Sequence, residues 1–198
     1  MMDPVAMRMF QIEITKQCRY ALQSIQLLVK GIAIYESKER DEWYPDVIWY
    51  PIQNFLIAAA NVSKFLWGST KGKTRDRQIL RQSLGVPDNS ILKLSPGFRN
   101  HFEHLDERIE VWAEETKGRP NLEEYVSNIT RLVTGSVGDV LRTFDPKRQT
   151  VSFRGETFAM VPVIEALTEL MEVADAASER PQPDSWADLV EIKDGNGQ

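Results

Sequence analysis

Both histidines of this chain fall within six residues, Arg99-Asn100-His101-Phe102-Glu103-His104. An imidazole exchanges protons near neutral pH, and a guanidinium fork holds a phosphate in plane. Together the two types suit proton transfer and charge stabilisation at a phosphodiester. Asn100 can orient Arg99 or the phosphate. Glu103 follows Arg99 by one helical turn, the spacing of an ordinary ion pair. His101 and His104 also offer a metal reading, with Glu103, Asp106 or Glu107 as further ligands. That reading lacks the i,i+4 histidine pair of zinc helices, and Arg108 falls in the same sector, so no metal and no cofactor are expected. The plainest alternative is a solvated helix face laced with ion pairs.

The element that must present these groups is a helix. Ser95-Pro96 offers a cap followed by proline at the first helical position. From there Phe98, Phe102, Leu105, Ile109 and Trp112 repeat at three- and four-residue spacing, ending near Gly118-Arg119-Pro120. At about 100° per residue, Arg99, Asn100, Glu103 and His104 sweep round the side opposite that stripe, with His101 at its margin. Arg99 and His104 are about 140° apart on the wheel, so one helix does not aim both at a single atom. A two-fold axis bringing two copies together would line one cleft with two of each.

The remaining pattern is mainly helical. Asp3-Pro4 starts a helix running to about Tyr35, with Ile14, Cys18, Ala21, Leu22, Ile25, Leu28, Val29 and Ile32 as its apolar stripe, although Phe10, Ile12 and Ile14 alternate. A second helix begins between Pro45 and Pro51 and closes at Gly68, carrying Ile52, Phe55, Leu56, Ala59, Val62 and Leu66. A third spans roughly Thr74 to Leu84 and stops at Gly85. Asp145-Pro146 marks a turn, after which Val151, Phe153, Phe158 and Met160 alternate around Arg154-Gly155-Glu156, a hairpin at about 150–160. Met160, Ile164, Leu167, Met171 and Ala174 return to helical spacing. The expected organisation is one helical domain over 1–178 and a flexible tail over 179–198.

Composition narrows the function classes. A chain of 198 residues with 42% hydrophobic and 27% charged residues is an ordinary globular one, and its net charge of −5 argues against charge-driven coating of nucleic acid. Basic residues nevertheless gather at Lys71, Lys73, Arg75, Arg77 and Arg81, with Asp76 the one acid among them. Either this is a solvated face or, with Lys64, a strip that attracts phosphate. Trp43, Tyr44, Trp49 and Tyr50 suit core packing or a subunit surface better than base stacking. Cys18 is the single cysteine, so neither an intrachain disulfide nor a cysteine zinc site forms. No apolar stretch reaches bilayer length and no export signal is evident, so the expected compartment is the cytoplasm.

Arg99-Asn100-x-x-x-His104 resembles the Arg-polar-x(3-5)-His signature of HEPN domains, and the likeness reaches roughly residues 10 to 175. The stretch Phe55-Leu56-Ile57-Ala58-Ala59-Ala60-Asn61-Val62-Ser63-Lys64-Phe65-Leu66-Trp67 is similar to the second helix of an uncharacterised bacterial HEPN-like group. Arg99 through Arg108 is similar to its motif helix, and Phe144-Asp145-Pro146 with the following hairpin also fits. The resemblance implies a HEPN-like helical bundle with an appended β-hairpin and a carboxy-terminal helix. It further implies a homodimer and metal-independent endoribonuclease activity. In that activity Arg99, Asn100 and His104 are catalytic, with Glu103 and His101 in support, and the product is a 2′,3′-cyclic phosphate. RNA and an antitoxin or other regulatory protein are the implied partners, in a toxin–antitoxin or defence setting. A non-catalytic HEPN-like module that binds a nucleotide, RNA or protein is the alternative.

Overall fold

The computed structural model describes residues 2–37, 46–68, 74–94, 105–117, 122–126 and 140–179. Five helices lie among them: α1 (Pro4–Ser37), α2 (Asp46–Trp67), α3 (Thr74–Ser83), α4 (Leu105–Glu115) and α5 (Val161–Glu179). The strands are β1 (Leu122–Val126), β2 (Val140–Asp145), β3 (Thr150–Phe153) and β4 (Glu156–Ala159). The protein is thus mainly helical, with a small sheet and a helix at the end of the described chain.

The helix ends follow from capping chemistry. Asp3 Oδ1 accepts the backbone N–H of Val5 at 2.8 Å and of Ala6 at 3.3 Å, and Pro4 occupies the first helical position. That start overrides the Phe10–Ile14 alternation, and α1 buries Met7, Gln11, Ile14, Cys18, Ala21 and Leu28 at helical spacing. Gly68, at φ 71°, closes α2 by donating its N–H to the Lys64 carbonyl at 2.7 Å. Gly85, at φ 69°, closes the turn after α3. Its own N–H reaches the Gln82 carbonyl and the Val86 N–H reaches that of Arg81, at 3.1 and 2.9 Å.

Pro51 sits inside α2 and supplies no N–H to the carbonyl of Val47 four residues back. That oxygen lies against α1, where a Cβ placed on Gly31 would stand 2.1 Å from it. Glycine at 31 is therefore what lets the two backbones approach.

The expected hairpin is present but belongs to a larger sheet. Phe153 pairs with Glu156 across the two-residue turn Arg154-Gly155, both at positive φ (48° and 85°). This twist matches that of the strands it joins. The strand order is β1-β2-β3-β4, with β2–β3 and β3–β4 antiparallel and β1–β2 parallel. Asp145-Pro146 does turn the chain: Asp145 Oδ1 accepts the N–H groups of Lys147 and Arg148 at 2.9 and 3.1 Å. The departure is β2 itself, whose side chains are buried at all positions but Arg142, so that it shows no alternation to betray it.

The described contacts gather the chain into two compact units, 1–26 with 54–93 and 164–198, and 27–53 with 94–163. The first is filled by Ile14, Phe55, Val62, Leu66, Leu80 and Leu167. The second is filled by Ile48, Ile52, Phe144, Val151, Phe153 and Met160. In α5 the buried positions are Val163, Leu167, Leu170, Ala174 and Ala177, a face turned by about 60° from the expected stripe, leaving Ile164 and Met171 half-buried. Trp49 is core, as its aromatic cluster suggested, whereas its neighbour Tyr50 is 65% exposed; Trp43 and Tyr44 lie outside the described residues. So does the tail from 180. No described helix is long and apolar enough to cross a membrane.

Candidate functional site

The chemistry-bearing residues Arg99, Asn100, His101, Glu103 and His104 lie outside the described residues, immediately before α4. What is described is the helix that follows them, and it is unusual in one respect: none of its residues is buried. Leu105 and Trp112, from the predicted stripe, are half-buried, and Ile109 and Val111 are 42% and 41% exposed. The acids Asp106, Glu107, Glu110, Glu114 and Glu115 are all exposed.

Two donors on α4 were not singled out by sequence reasoning. Arg108 and Trp112 are four residues apart on α4, a spacing that gives neighbouring positions on one side of a helix. Arg108 Nε and Trp112 Nε1 are shielded from solvent and have no hydrogen-bond partner among the described residues. Their i, i+4 spacing was the available signal. Farther along, the Arg154 guanidinium in the β3–β4 turn meets the Glu115 carboxylate, tying the hairpin to the last turn of α4. This contact has no sequence signal, because the partners are thirty-nine residues apart.

The basic strip takes a different form from a solvated face. Arg81 is only 6% exposed. Its Nε and Nη2 donate to Asp88 Oδ1 at 2.9 and 2.6 Å, and its Nη1 donates to the Leu66 carbonyl at 2.7 Å. Its guanidinium also lies 5.3 Å from the Trp67 ring. A cation is favoured there, at the carboxy-terminal end of α2, where the helix dipole is negative. Arg77, one turn earlier on α3, lies 3.9 Å over the Phe10 ring, and Phe10 in turn packs on Phe65 at 5.7 Å. These two arginines thus act in packing within the first unit. Lys64 is half-buried in the last turn of α2, and the Arg75 side chain lies outside the described ones.

Burial pushes the Cys18 thiol up to about 12, so it is neither a nucleophile nor a ready metal ligand. Among the described residues no three His, Cys, Asp or Glu side chains gather as a metal site would require. Comparison of the chain with family models, with curated proteins and with solved structures finds no match.

Proposed function

We propose that the chain is an endoribonuclease of the HEPN type, working as a homodimer through Arg99 and His104. The observation that carries the reading is one of position: the Arg99–His104 motif runs directly into a helix none of whose residues the chain buries. A second copy placed on the motif's face would cover Val111, which shares that face by helical spacing, and bring two motifs to one phosphate. The substrate hydroxyl O2′ attacks the adjacent phosphorus as one His104 takes its proton. The bond to O5′ breaks as the symmetry-related His104 supplies a proton to the leaving oxygen. Arg99 holds the phosphate and stabilises its added negative charge. The products are a 2′,3′-cyclic phosphate and a 5′-hydroxyl, and DNA, which lacks the attacking group, survives.

Incubation of the purified protein with total RNA in excess chelator tests this. Wild type should cleave, leaving cyclic phosphate ends. His104→Ala should lose activity by ~10²–10⁴-fold, the usual contribution of a positioned proton-transfer group. Arg99→Ala should also fail, while both variants keep the wild-type circular dichroism. Intact RNA with wild type, or full cleavage by His104→Ala, overturns the proposal.

The exposed acids of α4 favour a second reading, a non-catalytic module of the same type, because they repel a polyanion beside the motif. Under it, wild type binds a nucleotide, RNA or protein partner and cleaves no RNA pool.

A further inference from the structure

The first unit contains an open cavity of about 150 Å³ between α5 and the segment that follows α3. Its lining is somewhat more apolar than polar: Leu84, Pro87, Leu92, Leu170 and Val173 contribute to it, and Glu169 and Ser90 are its residues with polar side chains. A space of this size takes a benzene-sized group, so a larger flat ring system would seat one ring inside and leave the other at the open mouth. An apolar wall with an acceptor at its rim fits a flat ring that carries one N–H donor, and indole is that ring among side chains.

The chain brings such a group to the place. The described chain ends at Glu179, six residues past Val173 on the same helix, or about 9 Å along its axis. Nineteen residues follow, and the sequence Arg180-Pro181-Gln182-Pro183 cannot continue the helix. Trp186 is the one aromatic residue beyond it, seven residues from Glu179. That length spans up to about 23 Å when extended, more than twice the distance back to Val173. We propose that Trp186 of the chain's own carboxy-terminal segment seats in this cavity, its indole N–H donating to Glu169 or Ser90. So placed, the segment clasps α5 to the turn after α3.

Hydroxyl-radical footprinting of the full chain, read by mass spectrometry at Trp186, tests the assignment. Trp186 should be oxidised severalfold more slowly in the native chain than in urea. Val173→Asp, at a position already 45% exposed and so tolerant of change, should restore the fast rate without altering the circular dichroism. Native oxidation at the unfolded rate, or protection that survives Val173→Asp, overturns the proposal. Protection that fades on dilution also overturns it, since the indole would then come from a neighbouring molecule.

Discussion

The short helices α3 and α4 have ten and eleven residues and carry opposite charge, and they invert one another's use of it. In α3 the charge is turned inward: Arg81 is buried against Asp88 and the Leu66 carbonyl, and Arg77 lies on Phe10. In α4 the charge is outward, and so are Ile109 of the apolar stripe and Val111 beside it. Hydrogen bonding explains Arg81, whose buried guanidinium donates to Asp88 and the Leu66 carbonyl, while Arg77 rests on the face of Phe10. The α4 arrangement leaves apolar surface in contact with water, which an association could remove. A charge run in a sequence is therefore no guide to which side it faces. Arg81 in α3 has its donors met, whereas Ser63 Oγ and Trp67 Nε1 in α2, like Arg108 Nε and Trp112 Nε1 in α4, are shielded with no hydrogen-bond partner among the described residues.

Four experiments probe that contrast. Arg81→Met should cost about 2–3 kcal/mol in chemical denaturation, because it strips a charged donor from the Leu66 carbonyl and from Asp88. Arg81→Lys should recover little of this, lacking the fork. A loss near zero would return Arg81 to the class of surface cations. Gly31→Ala comes next, at about 2 kcal/mol: the new methyl meets the Val47 oxygen, and the helix propensity of alanine offsets only part of the strain.

The third test is a pH titration. Because burial raises the Cys18 thiol from 9.0 to about 12, its contribution is whole below pH 9 and shrinks above it, where only the unfolded chain ionises. Stability should fall by up to about 1.4 kcal/mol per pH unit as pH rises from 9 toward 12, and Cys18→Ala should flatten that slope. The smallest expected change is Val111→Asp, under about 0.5 kcal/mol for an exposed site in one chain. Its value lies elsewhere: sedimentation should show wild type as a dimer and the variant as a monomer. An unchanged oligomeric state would make α4 an ordinary solvated helix and remove the support it gives the nuclease proposal.

Much of the architecture was legible because it is written locally. Asp3-Pro4, Gly68 and Gly85 act on neighbours within a few residues, through caps and positive φ, so the ends of α1, α2 and α3 could be placed from spacing alone. Arg154-Gly155 fixed its hairpin in the same way. The sheet around that hairpin was not legible. β2 is buried at nearly every position, and a fully buried run carries no alternation. Its parallel pairing with β1 also depends on residues far along the chain. The motif, Arg99 with His104, is a reading of types and spacing that falls outside the described residues, while Arg108 Nε and Trp112 Nε1 stood out only through their shielding from solvent.

By itself the sequence determined where α1, α2 and α3 begin and end, which residue types could move a proton or hold a phosphate, and that one cysteine excludes an internal disulfide. Only the tertiary structure decided that Arg81 is a buried tie and that Gly31 admits the Val47 carbonyl. It alone left α4 without a buried residue. The physical reason is common to all three: periodicity specifies an element and its faces, but whether a face meets protein or water depends on contacts between residues distant in the chain.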